Sequence, residues 1–246
     1  MAKRTARTAE ISGTFGYASV DALERERRIR RVFDTVAPRY DLMNDLMSLG
    51  IHRLWKRRFA RAALAGDPQR VVDLAGGTGD IAALLADGRR EVLVCDPSLP
   101  MMAHGRRRGM SGVCWLAGQG ERIPIASASV DAVTISFGIR NVTSLERTLA
   151  EILRVLRRGG RFHCLEFSAA WAPIRPFYNL FSFTVIPRLG AWVARSPEAY
   201  IYLVESIRRF PDQAQFKALL ERAGFVEVRY RNLSFGIAAI HSGVRP

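Results

Sequence analysis

Apolar residues recur along this chain in two rhythms. In residues 21–36 a densely charged stretch gives way to Ile29, Val32, Phe33 and Val36 at helical spacing, and Pro38 predicts the end of that helix. Leu42, Met43, Leu46, Met47 and Leu49 form a second helical stripe stopped by Gly50, and Leu54, Trp55, Phe59 and Ala62 begin a third. These predict helices packed over a core, with the methionines as packing residues. From residue 70 the rhythm changes. Short apolar runs at 70–74, 91–96, 113–116, 130–136 and 161–167 alternate with helical patterns at 81–86, 98–107 and 143–156, the last opened by a Thr143/Glu146 capping box and halted by Arg158, Gly159 and Gly160. The runs are too short for helices and suit strands buried on both faces. Strand alternating with helix predicts an α/β domain with a mostly parallel sheet.

The ends of the chain read differently. Residues 1–19 are polar and small, as expected of a flexible N-terminal arm. Residues 169–196 are rich in aromatics, including Phe177, Tyr178, Phe181 and Phe183, and Pro173, Pro176 and Pro187 exclude one long helix. Such a stretch can cover a site, line a tunnel for a greasy group, pack between subunits or fill a core. A helix at 200–208, a helix from an Asp212 cap to Ala223 stopped by Gly224, and a strand pair at 225–231 and 236–241 complete the pattern. The expected division is an arm at 1–19 and one domain at 20–246, with a helical cap at 20–66 and a lid or insertion at 169–210.

Composition narrows the partners less than the architecture. The 246 residues are 48% hydrophobic and carry a net charge of +14, almost all from arginine, since Lys3, Lys56 and Lys217 are the three lysines. Such a balance suits RNA, an anionic membrane surface or acidic partners, but no RNA-binding module interleaves the arginines with aromatics. Cys95, Cys114 and Cys164 stand singly, without metal-ligand spacing, and read as buried free thiols of a reducing compartment. No histidine group suggests a metal; His163 and His241 alternate within strands and read as structural. Residues 1–10 lack the apolar segment of a secretory signal, leaving an organelle transit peptide as the alternative, and no stretch is apolar enough to span a bilayer.

Candidate chemistry begins at Val71-Val72-Asp73-Leu74-Ala75-Gly76-Gly77-Thr78-Gly79-Asp80, a strand breaking into a glycine turn and a helix. Glycines there admit close backbone approach to a ligand. Asp80 occupies the place where a phosphate loop has lysine, which argues against a polyphosphate and fits a cationic ligand. Asp96 ends the second strand, where doubly wound folds set an acid against ribose hydroxyls; the alternative is a helix cap. Asp73-x-x-x-Gly77-x-Gly79 resembles the first motif of S-adenosylmethionine-dependent methyltransferases, with Ala75 where many have a further glycine. In that resemblance Gly77, Thr78, Gly79, Asp96 and Ser136 bind cofactor, and Gln119 and Gly120 take the place of the usual Asp-Ala or Asn-Ala pair that reads adenine.

Two further stretches, 40–56 and Phe137-Gly138-Ile139-Arg140-Asn141-Val142, resemble the ubiquinone/menaquinone biosynthesis C-methyltransferases, the match running from about Val32 to Gly243. The resemblance implies a class I S-adenosylmethionine-dependent methyltransferase fold with a seven-stranded, mostly parallel sheet, S-adenosyl-L-methionine as cofactor, and a polyprenylated benzoquinol or demethylmenaquinol as acceptor. It implies ligand-facing residues among Tyr40, Asn44, His52 and Trp55, and Arg140 and Asn141 beside the quinol. Arginine stays charged in proteins, so Arg140 is expected to stabilise a phenolate, with proton removal through water to Glu166 or His52. A structural ion pair is the other reading of Glu166. The expected setting is the bacterial cytoplasm at the inner membrane face, with the mitochondrial matrix as alternative. Peripheral membrane contact, a quinone-biosynthesis complex or a homo-oligomer are the expected associations, and no nucleic acid. The competing readings are methylation of another lipid-like molecule, a non-catalytic subunit of a quinone-synthesis assembly, and RNA methylation, the last lacking the Asn/Asp-Pro-Pro-aromatic sequence of base-nitrogen methyltransferases.

Overall fold

The computed structural model describes residues 14–36, 44, 45, 48, 50–181, 184 and 197–246. Tyr40, the stripe of Leu42, Met43, Leu46, Met47 and Leu49, and Phe183, Val185 and Ile186 of the aromatic run lie outside the described residues, as does the arm before Thr14. Residues 14–19, read as part of that arm, form a hairpin of β1 (Thr14–Phe15) and β2 (Ala18–Ser19). It is held down by Tyr17, whose N–H donates to Glu205 at 2.9 Å, and by Phe15, whose ring stacks on Tyr202 at 4.2 Å.

Helix α1 (Ala22–Val36) starts where Asp21 accepts the Glu24 N–H, and α2 (Ile51–Ala63) follows Gly50, which sits at φ 75°, a conformation glycine adopts without strain. The alternating segment then gives β3 (Arg70–Leu74), α3 (Asp80–Leu85), β4 (Glu91–Asp96), α4 (Leu99–Arg106), β5 (Val113–Ala117), β6 (Val130–Ser136), α5 (Leu145–Val155) and β7 (Leu156–Phe167). Ser144, not Thr143, caps α5: its hydroxyl accepts the Arg147 N–H, while the Thr143 N–H goes to Glu121. The stop at Arg158-Gly159-Gly160 lies inside β7, whose early start is absorbed by a register shift against β6 between Val130 and Ala132. After α6 (Arg175–Leu180) come α7 (Pro197–Arg209), α8 (Gln213–Ala223), β8 (Val226–Leu233) and β9 (Ala238–Val244). Asp212 and Gln215 make a capping box at one end of α8, and Gly224 at φ 108° closes the other.

Among the described residues the main sheet has seven strands in the order β5-β4-β3-β6-β7-β9-β8, parallel except where β9 runs against β7 and β8. Alternation along the strands divides the core between two faces. Val72 and Leu74 pack with Leu149 and Ile152 of α5 and Phe216 and Leu220 of α8, whereas Val71 packs with Phe59 of α2 and Ile81 and Leu85 of α3. The chain steps outward from β3 through β4 to β5, then returns to place β6 on the other side of β3. The carboxyl ends of β3 and β6 therefore flank a switch point, where open α/β sheets bind ligands. Cys95 and Cys164 are buried as expected, the Cys95 thiol pushed up to about 12 by burial, but Cys114 is exposed on the edge strand β5. No described helix is long and apolar enough to cross a membrane.

Candidate active site

At the switch point a cleft of about 1180 Å³, open to solvent, is lined by the loop after β3, the end of β4, residues 118–121, the turn after β6 and one face of α1. The loop is tightly constrained. Ala75, Gly77 and Gly79 have φ of 52°, 54° and 80°. Ala75 thus holds the left-handed conformation that a glycine would adopt without strain, at about 1–2 kcal/mol for a residue with a Cβ. A Cβ on Gly76 would lie 2.7 Å from Asp73 Oδ2, and one on Gly138, across the cleft floor, 2.7 Å from the Ala75 methyl. Gly138→Ala is therefore expected to destabilise the protein by about 1–3 kcal/mol through overpacking, and adding Ala75→Gly to relieve most of that cost. Chemical denaturation of both singles and the double checks it; additive effects would contradict the contact.

Three carboxylates surround the loop in different electrostatic states. Asp96 accepts the Gly77 N–H on Oδ2 at 2.9 Å and the Ser98 N–H on Oδ1 at 2.7 Å, while Ser98 itself caps α4. Burial raises its pKa to about 6 against those two donors. Asp73 is fully buried and raised to about 7 by burial; the Thr134 hydroxyl donates to Oδ1 at 2.9 Å, and Oδ2 has no partner. For Asp80, burial would raise the pKa, but Lys56 and Arg108, each 2.6 Å away, hold it at about 2. Its charge is answered by protein cations, so Asp80 is not a free carboxylate for a cationic ligand, as its place in the sequence suggests.

Beyond the loop, Gln119 donates its Nε2 to Glu26 of α1 at 2.8 Å. Because a carboxylate only accepts, this fixes the amide with Oε1 left to accept from a ligand. Ser136 Oγ is buried without a partner at the end of β6. Phe137 follows at φ 55° and turns the chain into a short 3₁₀ segment, Ile139–Asn141. Arg140 is buried behind this turn: one terminal nitrogen donates to both Phe137 O and Glu166 Oε1 at 2.7 Å, and its guanidinium lies 5.6 Å from the Phe167 ring. Glu166 is buried too, its Oε2 unpartnered and its pKa raised by burial despite Arg140. Asn141 faces the cleft, and Tyr202 of α7 donates its hydroxyl to Asn141 Oδ1 at 2.9 Å.

The cleft thus brings together Gly77, Thr78, Asp96, Gln119, Gly120, Ser136 and Asn141. Gly79 packs instead on Met110 and Trp115, so its lack of a side chain makes room for the connection after α4 and for the edge strand β5. Arg140 and Glu166 form an ion pair outside the cleft lining. Trp55 is buried against Phe137 and Phe167, its Nε1 donating to Ser234, and His52 hydrogen-bonds Ser48 through Nδ1, with burial and then Lys56 pulling its pKa down to about 4. Neither these nor Asn44 line the cleft. Sequence reading missed Arg25, which donates from α1 to the carbonyls of Thr14, Arg140, Asn141 and Val142, and Tyr202. An arginine inside the charge-dense start of α1 gave no sign of being the buried one.

A seven-stranded sheet of this order, with a glycine loop after β3 and an acid ending β4, defines the class I S-adenosylmethionine-dependent methyltransferase fold. A SAM-dependent methyltransferase from Thermotoga maritima superposes with a TM-score of 0.64 over 89% of this chain and 100% of its own, at 20% identity, a likeness of fold. Residues 22–245 match the ubiE/COQ5 methyltransferase family, and the chain belongs to it. Its curated relatives include the ubiquinone/menaquinone biosynthesis C-methyltransferase of Rubrivivax gelatinosus, 65% identical over 96% of this chain and 94% of that one, and that of Acidiphilium cryptum, 49% identical over 97% and 98%. Family and fold together imply the use of S-adenosylmethionine.

Proposed function

We infer that this chain transfers a methyl group from S-adenosylmethionine to a ring carbon of a polyprenylated quinol, a benzoquinol, a demethylmenaquinol or both, in ubiquinone and menaquinone biosynthesis. The observation that carries the reading is one cleft in which a carboxylate-rich nucleoside site meets the Asn141 turn, backed by a buried guanidinium. Asp96 would accept both ribose hydroxyls, its oxygens already oriented by two backbone N–H groups. Gln119 Oε1 would accept from the adenine amine, beside Gly120, where a Cβ would crowd Thr148 at 3.0 Å. Asp73 Oδ2 and Ser136 Oγ, both buried without partners, suit the charged amino-acid end, and Thr78 closes the loop over it.

A pH dependence follows. Both raised carboxyls favour a cation only when ionised, so cofactor affinity should rise between about pH 5.5 and 8 as Asp96 and then Asp73 lose protons. The stability of the ligand-free protein runs the other way. A carboxyl raised above its unfolded value contributes stability below about pH 4 that is lost as pH climbs through 6 and 7. Asp80, depressed to about 2, contributes throughout this window and does not change it. Thermal shift by cofactor should therefore be larger at pH 8 than at pH 5.5; an equal shift at both would contradict the assignment.

When bound, S-adenosylmethionine supplies an electrophilic methyl group on a sulfonium. The chain's own work is to hold the acceptor carbon in line and to ionise the ring, because a phenol with a pKa near about 10 offers little anion at neutral pH. Asn141, steadied by Tyr202, orients the ring oxygen or a water against it. Arg140 remains a cation and lowers the cost of the phenolate through the low-dielectric turn. A water would pass the proton to Glu166, whose unpartnered Oε2 and raised pKa let it hold one. His52, like Glu166 off the cleft lining, has its pKa pulled down to about 4 and so holds a proton less readily.

Arg140→Lys tests this directly: the ammonium sits on a shorter stem and lacks the planar guanidinium set 5.6 Å from the Phe167 ring, and turnover should fall about a hundredfold with a displaced pH profile. Full activity with an unchanged profile would rule out activation by the guanidinium. Carbon-13 NMR of the product places the new methyl on ring carbon; methylation at oxygen would contradict the reading.

A further inference from the structure

Helix α1 gives the cleft four lining side chains, Glu26, Ile29, Arg30 and Phe33, and the first of them reaches the chain after β5. Glu26 Oε1 accepts Gln119 Nε2 at 2.8 Å and the guanidinium of Arg30, one turn along the helix, at 2.7 Å. Both ends of this contact are anchored. Arg25, the neighbour of Glu26, is 2% exposed and donates to Thr14 O at 2.8 Å and Val142 O at 2.7 Å, which holds that turn of α1 in place. The backbone around Gln119 is pinned as well: the Gly118 N–H donates to Asp96 O, the Arg122 N–H donates to Gln119 O, and Glu121 accepts the N–H groups of Thr143 and Ser144. What stays free at Gln119 is the side chain, and Glu26 governs it.

An amide carries an acceptor on one corner and donors on the other, and a half-turn about its last torsion exchanges them at little cost. Without a fixed neighbour, Gln119 would present either corner to a ligand. A carboxylate only accepts, so Nε2 is kept on Glu26 and Oε1 is left for the base. Purines differ at the position this oxygen would meet. Adenine has an amine at C6, which donates, whereas a 6-oxo purine has a carbonyl there, which would face Oε1 acceptor against acceptor. We propose that Glu26 is a positioning residue that makes the cleft select a 6-amino purine over a 6-oxo purine, acting through the orientation of Gln119. The proposal rests on the reading of Gln119 as the residue beside the adenine amine. Glu26 is half-buried and Gln119 exposed, so the contact matters less for stability than for which corner of the amide meets the base. A tenfold bias between the two corners is about 1.4 kcal/mol, the size of one hydrogen bond to a charged group.

Titration calorimetry of the full chain with S-adenosylhomocysteine and with its 6-oxo counterpart, S-inosylhomocysteine, measures the choice. Glu26→Gln keeps the shape of the side chain but can accept or donate, so both orientations of Gln119 become available. The adenosyl compound should then bind about threefold more weakly and the inosyl compound about threefold more tightly, lowering the preference about tenfold. A residue that merely supported the fold would weaken both alike. Glu26→Ala, which releases Gln119 outright, should move the ratio in the same direction. In a Gln119→Met background, Glu26→Gln should leave the ratio where Gln119→Met alone sets it. Equal losses for both compounds, an unchanged ratio, or a ratio that Glu26→Gln still moves beside Gln119→Met would overturn the proposal and leave the cofactor reading standing. Failure of the unsubstituted chain to bind S-adenosylhomocysteine would overturn the two together.

Discussion

Asp96→Asn is expected to weaken S-adenosylmethionine binding about a hundredfold, roughly 3 kcal/mol. The side chain would keep its shape and lose its function for two reasons. Each carboxylate oxygen of Asp96 already takes a backbone N–H, from Gly77 and from Ser98, so either orientation of an Asn amide sets an NH₂ group against a donor. The same substitution removes the charge that strengthens any bond to a ribose hydroxyl. Isothermal titration against the labelled or unlabelled cofactor reads the change. An unchanged dissociation constant in a folded variant would mean that the acid ending β4 is structural, and the cleft would need another ribose partner.

Arg25→Met is expected to act on turnover and stability while sparing the cofactor. Arg25 is 2% exposed, and its guanidinium reaches Thr14 O at 2.8 Å, Val142 O at 2.7 Å and Arg140 O at 3.2 Å, tying the N-terminal hairpin and α1 to the backbone beside Asn141. Its loss leaves carbonyls without a donor, each worth about 1–3 kcal/mol when buried, so the melting temperature should drop by several degrees. A turn freed to move by about 1 Å can cost on the order of a hundredfold in turnover. Cofactor affinity, which depends on the β3 loop, Asp96 and Gln119, should change far less. Equal losses in cofactor affinity and turnover would show that Arg25 supports the whole cleft rather than the acceptor side.

The sheet was legible because its signal is periodic and local. Val71 and Val72 face opposite cores as alternation demands, and Gly50 and Gly224 stop or start helices at positive φ. The cofactor half was legible because a turn and the acid ending the next strand are close in sequence, Gly77 and Asp96 being brought together by one parallel pairing. What stayed hidden depends on long-range packing. Nothing near Arg25 in sequence marks it among the five arginines of α1 as the one that enters the core, and Tyr202 meets Asn141 only because α7 folds back across the turn. The same cause misplaced charge at Asp80, which reads as a free carboxylate until Lys56 and Arg108 arrive from α2 and from the chain after α4. Arg140 was legible as a cation at the active edge, but its burial against Glu166 was not, because that pairing crosses from the β6 turn to β7.

The central claim is that this cleft methylates the ring of a polyprenylated quinol. Methyl label from S-adenosylmethionine, offered in parallel reactions to quinol extracted from a strain lacking the enzyme, to total RNA and to no acceptor, tests it most directly. Label in the quinol alone, lost with Asp96→Asn, is the expected result; tight cofactor binding without label in the quinol would contradict the claim.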